Sequence, residues 1–493
     1  MARSSFAAYL KPSTWALEPE PSTFAPNSRW SNKDMDPVPI RSRTWSTVNY
    51  VAYWISDATN AAVWELASSM LATGLSWRQA LPAIAVGHCI ISVVMVLNGT
   101  IGARLHVAFP VLNRSSFGFW FSYFSVISRV LLSLFWFGIQ TYTGSECVYQ
   151  MLKAIWPSLA RLPNHLPEKS NITTDYVLFL FPFMLISPQR IRWLFMAKAI
   201  IVPVAWLAML IWAFVKVPVN SSGGLFNQHS TLSGSDMSWA WLSALNSALG
   251  IYSTLAVNIP DFTSTLWDPL KLINQWDNRA AAFFASFASV LATLGTNIAA
   301  NSLSAANDMT VLFPRYINIR RGQMLCALLG GWALCPWEIL ASAEGFLSFI
   351  NGYTVFLGPF AGIMVTDYWL LHKCRVDVPS MYRPHGRYRY MYGFNWRAVL
   401  AILCSVPPLF PGWINSINTD INPGRVARLF NFAWIYGFTV ASTVYFVTSS
   451  LFPARETYIP EAILPDDAED ASQTSDAEDD KKSVQAEVKE ILA

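Results

Sequence analysis

A series of long apolar stretches constrains the fold of this chain more than any other feature of its 493 residues. Each stretch approaches the roughly 20 residues that a helix needs to cross a bilayer. Lipid offers no hydrogen bonds to a backbone, so such stretches satisfy their own backbone groups as helices. We therefore predict an all-α polytopic membrane protein with about eleven spans. The predicted spans are 48–72, 80–108, 118–152, 175–190, 194–216, 238–259, 280–304, 323–343, 345–371, 398–415 and 430–452.

The composition agrees with a membrane protein and excludes several other classes. Hydrophobic residues make up 53% of the chain and charged residues only 13%, whereas a soluble domain carries about 25% charged residues. The formal net charge of +3 is small and dispersed, which argues against a nucleic-acid partner. The 6 cysteines are scattered without metal-ligand or redox spacing. We expect membrane lipid as the surroundings, and no metal or cofactor.

The chain divides into three parts. Residues 1–45 are polar and lack the apolar core of a cleavable signal peptide, so we expect a cytoplasmic N-terminal segment. Residues 46–455 hold the spans and form the predicted transmembrane domain. Residues 456–493 are acidic and nearly free of apolar side chains, which predicts a disordered cytoplasmic tail.

The tail also suggests regulated turnover. Hydroxyl residues lie among acidic ones there, and exposed lysines could accept ubiquitin through a ubiquitin-ligase adaptor. A purely solubilising tail would have the same composition. The residues concerned are Ser472, Thr474, Ser475, Lys481, Lys482 and Lys489.

The basic loops give two orientations that disagree. With the N-terminus inside, the loops holding Arg104 with Arg114, and Arg190 with Arg192 and Lys198, fall on the cytoplasmic side, as the positive-inside rule requires. Counting spans onward then puts the basic loops 313–322 and 372–397 outside. The polar segment 260–279 lies where another span would remove the conflict. Either the chain lacks a helix, or its second half is inserted against its charge bias.

Two predicted spans carry breaks near the middle. The first holds Asp57 and Asn60, and the sixth holds Gly250, Asn258 and Pro260. Proline opens a helix, and exposed backbone at membrane depth survives only where it lines a cavity. Paired breaks in the two halves are typical of an inverted-repeat transporter with its site at the midplane, although a proline kink without a ligand is common.

Aromatic and amide side chains within the spans indicate a site for a flat heterocycle. Trp136 and Gln140 are four residues apart and so share a helix face. A ring could stack on Trp136 while Gln140 bonds its lactam or ureide edge. Asn297 and Asn301 form a similar pair beside Thr296, and Tyr252 offers a second aromatic face. Each amide could equally be interhelical glue.

At these residues the sequence resembles the nucleobase-cation symporter family, and more narrowly its fungal uracil/allantoin permease branch. Many separate motifs occur in order over roughly 27–455, which makes the resemblance specific. The motifs are NKDMDPVP at 32–39, NAAVWELASSMLATGLSW at 60–77, WFGIQTYTG at 136–144, LAVNIPDF at 255–262, GTNIAANSLSAANDMTVLFPRYINIRRG at 295–322, GGWALCPWEIL at 330–340, NGYTVFLGPFAGIMVTDYWL at 351–370 and DVPSMYRPHGRYRY at 377–390.

The resemblance implies a five-plus-five inverted-repeat (LeuT-like) fold of twelve spans and proton-coupled uptake of a nucleobase or ureide across the plasma membrane. It implies that residues 27–40 pack on the cytoplasmic face and influence gating. Sodium coupling is less expected, because Gly295 replaces a hydroxyl that sodium-coupled members use. By the same resemblance Trp136 and Tyr252 sandwich the substrate, Gln140, Asn297 and Asn301 bond it, Asn60 marks the first-helix break, and Glu65 and Thr296 serve ion coupling.

One departure from the family coincides with the charge conflict. In family members a full seventh helix comes after the IPDFT motif. Here the motif ends at Thr263, and the polar segment that begins at Ser264 follows without a helix between them. We therefore expect that the seventh transmembrane helix is missing. The leading interpretation is a proton-coupled permease, and the alternative is a transport-incompetent truncated relative that acts as a sensor or interaction protein. An enzyme is not expected, because no nucleophile, base or metal-ligand arrangement is found.

Overall fold

A computed structural model describes residues 12–18, 24, 30–40, 43, 46–58, 61–161, 163, 191–216, 230–257, 278–340 and 343–465. The predicted span 175–190, the segment 260–277 and most of the acidic tail lie outside these residues. The described part is helical and contains two isolated β-bridges but no strand.

Thirteen longer helices form the described part of the bundle. They are α1 Thr47–Ala58, α2 Ala61–Ala72, α3 Trp77–Leu105, α4 Ser122–Ile155, α5 Ile191–Lys216, α6 Gly234–Val257, α7 Arg279–Thr296, α8 Ser304–Leu312, α9 Ile319–Leu328, α10 Ala343–Val365, α11 Trp396–Ser405, α12 Phe410–Ile417 and α13 Ala433–Leu451. π-helical turns extend three of these helices: Asn297–Leu303 after α7, Leu329–Ala333 after α9, and Thr366–Leu371 after α10.

Shorter helical turns connect these elements. Four-residue helices lie at Phe109–Leu112, Arg114–Phe117, Pro336–Ile339 and Val378–Met381. Turns of 3₁₀ helix lie at Pro12–Trp15, Lys33–Met35, Pro157–Arg161, Arg387–Arg389, Pro407–Leu409, Gly424–Phe432 and Arg455–Thr457.

Most of the predicted spans correspond to helices. Within the described residues, 6 helical stretches are long and apolar enough to cross a membrane: Trp77–Leu105, Ser122–Ile155, Arg279–Leu312, Gly345–Leu371, Trp396–Ile417 and Gly424–Leu451. The first predicted span is two helices, α1 and α2, so the expected break falls between them. Helix α6 ends at Val257, just before the second expected break, which lies outside the described residues.

Contacts between loops define one end of the bundle, which we call the inner end. Residues 30–40 pack there, as the Val38 backbone N–H donates to the His106 carbonyl over 3.0 Å and the Asn32 amide donates to the Pro314 carbonyl over 3.0 Å. The Tyr382 hydroxyl donates to the Met35 carbonyl over 2.7 Å. The N-terminal segment, the turn after α8 and the loop after α10 therefore share one end.

This arrangement corrects the orientation obtained by counting spans. The basic loops 313–322 and 372–397 lie at the inner end with the N-terminal segment, not at the opposite, outer end. The positive-inside rule then assigns the inner end to the cytoplasm. The second half of the chain is accordingly not inserted against its charge bias.

Counting spans assumes that successive helices alternate in direction. This assumption fails between α6 and α7, because both helices run from the outer end to the inner end. Near the start of α6, the Trp241 indole donates to the Gln79 carbonyl in the first turn of α3, over 3.1 Å. Arg279, the first residue of α7, donates to the Ala154 and Ile155 carbonyls at the outer end of α4. A chain that lacks one transmembrane helix would have two successive helices that run in the same direction. The connection, 258–277, lies outside the described residues, so the missing helix stays a prediction.

The C-terminal boundary also needs correction. Disorder was predicted from residue 456, but the chain packs on the inner end as far as residue 465. The Val378 backbone N–H donates to the Ile463 carbonyl over 3.1 Å, and the Ile463 N–H donates to the Val376 carbonyl over 3.0 Å. Composition alone did not reveal these backbone pairings.

A histidine joins this C-terminal segment to the bundle. The His372 ring lies 3.0 Å from the Thr457 hydroxyl through Nε2 and 3.2 Å from the Asp367 carboxylate through Nδ1. Burial lowers the pKa of His372, but the Asp367 carboxylate raises it by more, so the net pKa lies above 6.5.

Candidate functional site

The centre of the site is on α4, where Trp136 and Gln140 are 4% and 0% exposed. Trp136 lies in an aromatic cluster supplied by α10. Its ring centroid is 5.5 Å from that of Phe349 and 6.2 Å from those of Phe346 and Tyr353, all edge to face. Such pairs hold an indole in one orientation. Gln140 follows one turn later on the same face.

The π-helical turn Asn297–Leu303 faces α4 and carries both predicted asparagines. The Asn297 amide donates to the Thr141 hydroxyl over 2.8 Å and to the Phe137 carbonyl over 3.2 Å. The Asn301 amide donates to the Asn297 side-chain oxygen over 3.0 Å. Asn297 thus joins the π-helical turn to α4, as interhelical glue would, and its contact with substrate stays a prediction. The side-chain oxygen of Asn301 accepts no hydrogen bond from a described residue and is the more available of the two.

Tyr252 lies on α6 and is 6% exposed. Its ring meets the His88 ring of α3 edge to face, with centroids 4.8 Å apart. Tyr353 links this helix to the Trp136 cluster, because its hydroxyl donates to the Gly250 carbonyl over 3.1 Å. Tyr353 is thus a site residue that sequence reasoning missed.

The predicted ion-coupling residues are deeply buried. Glu65 on α2 is 2% exposed and Thr296 is 1% exposed. The Lys198 ammonium on α5, itself 0% exposed, donates a hydrogen bond to the Thr296 hydroxyl. Lys198 was counted as a cytoplasmic loop cation, which is wrong, because it lies inside helix α5 and points into the bundle. Asn60 lies outside the described residues.

The structure thus brings most of the predicted residues into one region. α4 and the π-helical turn are in direct contact through Asn297, and Thr296 adjoins it. Tyr353 joins α6 to the same cluster. An aromatic face, an amide and a buried cation next to a π-helical turn are features typical of a functional site.

Comparison with known proteins gives the family. The sequence profile described as permease for cytosine/purines, uracil, thiamine, allantoin matches residues 37–264 and 263–437. The chain belongs to this family. It is therefore a multi-pass membrane permease and not an enzyme. The two matched pieces meet at 263–264, the position at which the sequence predicts that a seventh helix is missing.

The chain is similar to fungal permeases over most of its length. It is 34% identical to an uncharacterized permease of Schizosaccharomyces pombe, with 94% of this chain and 90% of that protein covered. It is 31% identical to the allantoin permease of Saccharomyces cerevisiae, with 86% of this chain and 76% of that protein covered.

The fold is similar to that of a solved transporter. The structure of Mhp1 in a closed conformation with bromovinylhydantoin bound superimposes with a TM-score of 0.61 at 21% identity. That match covers 86% of this chain and 97% of Mhp1. The predicted LeuT-like transporter fold is therefore confirmed.

A buried ion pair next to the site escaped the sequence analysis. Arg129 of α4 donates to both carboxylate oxygens of Asp308 in α8, each over 2.6 Å, and both side chains are 0% exposed. Arg129 precedes Trp136 by two helical turns, and Asp308 follows Asn301 by two turns. The pair joins the two elements that carry the site, on its cytoplasmic side. The signal available in the sequence was a cation, Arg129, within the predicted span 118–152, and an anion, Asp308, just after the predicted span 280–304.

Proposed function

We propose that this permease takes up a nucleobase or related heterocycle of the uracil, allantoin or uric acid type, with proton coupling, across the plasma membrane. The observation that carries the proposal is the contact between α4, which bears Trp136 and Gln140, and the π-helical turn, which bears Asn301; Asn297 makes this contact with Phe137 and Thr141. This arrangement offers an aromatic face beside amide donors and acceptors, which suits a flat ring with a lactam edge.

Each proposed substrate-binding residue has a separate role. Trp136 and Tyr252 would cover the two faces of the ring. Gln140 would supply an acceptor and donors to the ring edge, and the Asn301 side-chain oxygen would accept from a ring N–H. A substrate that lacks a matching group would leave a buried amide unpaired, at a cost of about 1–3 kcal/mol.

The coupling ion is proposed to be a proton, with sodium less suitable. Sodium would need the lone pairs of the Thr296 hydroxyl, and the Lys198 ammonium already donates to that oxygen. A second cation there would meet the charge of Lys198 at short range in a low dielectric. Glu65 is a buried carboxyl that can bind a proton with little desolvation cost.

The test of coupling is accumulation of labelled uracil and allantoin in a fungal strain without permeases of its own. We expect accumulation that continues when choline replaces sodium and that collapses with a protonophore. Glu65→Gln should abolish accumulation, whereas Lys153→Gln, at the outer end of α4, should not change it. Accumulation that requires sodium, or that survives the protonophore, would contradict proton coupling.

A substitution of Lys198 gives a second test that distinguishes proton coupling from sodium coupling. Lys198→Gln removes the charge beside Thr296, so uptake by this variant should become stimulated by sodium, whereas wild-type uptake should stay independent of it. If uptake by Lys198→Gln stayed independent of sodium, the proposed role of the ammonium would be wrong.

A second candidate is a transport-incompetent relative that binds the ligand without accumulating it. The parallel direction of α6 and α7 and the split of the family match at 263–264 both favour it. Loss of one crossing would break the second inverted repeat. Saturable ligand binding by purified protein, combined with no accumulation by protein at the cell surface, would support this candidate over the first.

Regulated turnover through the acidic tail remains a proposal about residues outside the described part. Lysines 481, 482 and 489 would accept ubiquitin through a ubiquitin-ligase adaptor. A triple Lys→Arg variant should stay at the cell surface under substrate excess, and unchanged internalisation would count against the idea.

A further inference from the structure

A polar cavity of about 340 Å³ lies at the outer end of the bundle, away from the site described above. Its volume is within the range of about 300–1,000 Å³ that holds small ligands. It is lined by the ends of α2, α6, α10 and α12 and by the turn Gly424–Phe432. The lining includes Leu347, Ser348, Asn351, Arg428, Phe430 and Asn431.

The chemistry of this outer cavity favours a hydrogen-bond acceptor as ligand. Among the described residues, its lining contains one cation, three amides and four hydroxyls, but no carboxylate. The side chains of Ser348, Arg428 and Asn431 make no hydrogen bond or ion pair with any residue that the structure describes. Arg428 is instead held over the Trp239 ring, 5.2 Å from its centroid. Donors without an acceptor among the described residues suit carbonyl or carboxylate oxygens.

One side chain connects the outer cavity to the interior. The Asn351 oxygen accepts hydrogen bonds from the Asn246 amide over 2.8 Å and from the Ser247 hydroxyl over 3.0 Å, both on α6. Asn246 in turn accepts from the Trp434 backbone N–H of α13 over 2.8 Å. Asn351 is thus held rigidly at the wall of the cavity while three helices meet behind it.

Helix α10 has the outer cavity on one face and the Trp136 cluster on another. Leu347, Ser348 and Asn351 line the cavity, whereas Phe349 and Tyr353 contact Trp136. A molecule in the cavity would bridge α10 to the Gly424–Phe432 turn. It would therefore restrict movement of the helix that supplies the aromatic wall of the site.

We propose that the outer cavity is a second, extracellular binding site for a small molecule with clustered carbonyl oxygens. The occupant is either a neutral lactam or ureide of the transported class, a choice that rests on the proposed function, or a small carboxylate. Arg428 and Asn431 bind its oxygens, and Phe430 covers its apolar side.

The test uses the full chain in intact cells, with Ala427→Cys as the probe and a membrane-impermeant maleimide as the label, because Ala427 lines the cavity but is not one of the proposed binding residues. Allantoin, uracil and acetate are added separately. At ten times its dissociation constant a ligand should slow labelling about tenfold, because only the unoccupied site reacts. Combining the probe with Gln140→Ala removes protection that would arise from the central site.

Protection that persists with Gln140→Ala, is lost with Arg428→Met and remains with the matched Arg425→Met control supports the proposal. Allantoin and acetate then distinguish the two sources of ligand. Protection that disappears with Gln140→Ala overturns the proposed second site and leaves the proposed function intact. A complete lack of protection by allantoin, uracil and acetate has the same consequence. Direct binding of labelled allantoin to purified Gln140→Ala protein, with and without Arg428→Met, checks the result without a cysteine.

Discussion

The Arg129–Asp308 pair allows a quantitative prediction about stability. Both side chains are 0% exposed and two hydrogen bonds of 2.6 Å join them. Replacing Arg129 by Met leaves a buried carboxylate without its partner, at a cost of about 3–5 kcal/mol. Replacing both residues, as Arg129→Met/Asp308→Leu, removes the two buried charges together and should restore most of that loss, because apolar residues of similar volume often replace a buried pair without cost.

The assay is reversible unfolding of the purified chain in mixed detergent micelles, followed by a folding-sensitive fluorophore. Arg387→Met is the matched control. Its partner is Asp377 at 3.3 Å, but the arginine is 35% exposed, so the loss should stay within about 1 kcal/mol. The prediction would be wrong if Arg129→Met lost no more unfolding free energy than this control. It would also be wrong if the double variant lost the sum of the losses of Arg129→Met and Asp308→Leu.

Three further predictions follow from other parts of the molecule. At Gly138 an added methyl group would meet the Gly330 carbonyl, so Gly138→Ala should lower thermal stability by about 1–3 kcal/mol, and an unchanged melting curve would disprove this close crossing. The net pKa of His372 is raised by Asp367 despite burial, so its stabilising contribution should be complete below pH 6.5 and lost as the pH rises through the raised value; a melting temperature of His372→Gln with the same pH dependence as wild type would be inconsistent with it. Full-length transcript sequencing should reveal at least about 20 apolar codons between residues 263 and 264 if the chain is truncated, and a transcript that matches the chain as written would end that explanation.

Hydropathy and local motifs were enough to predict most of the described helices and the separation of α1 from α2, whereas the second predicted break lies outside the described residues. The apolar runs anticipated α3, α4 and α10 closely, because a helix in lipid depends on local composition alone. The spacing of Trp136 and Gln140 placed both on one helix face. The conflict between loop charges and span count pointed to the connection between α6 and α7, because loop charges indicate orientation independently of the number of spans.

The contacts between distant segments could not be predicted in this way. Lys198 was read as a loop cation because sequence alone does not show that it meets Thr296, 98 residues later. Arg129 and Asp308 are separated by 179 residues, and neither carries a local signal of the other. The glue role of Asn297 likewise depends on how α4 packs against the π-helical turn, which no periodicity specifies.

We propose that this chain moves its substrate through the site of Trp136 and Gln140. Uptake of labelled allantoin and uracil by the chain as written, compared with Gln140→Ala and the matched Gln150→Ala on the same helix, tests this proposal. We expect accumulation by wild type and Gln150→Ala, and a loss of roughly tenfold or more for Gln140→Ala, since one unpaired buried group costs about 1–3 kcal/mol. Equal uptake by all three proteins, or none by wild type at the cell surface, would contradict it.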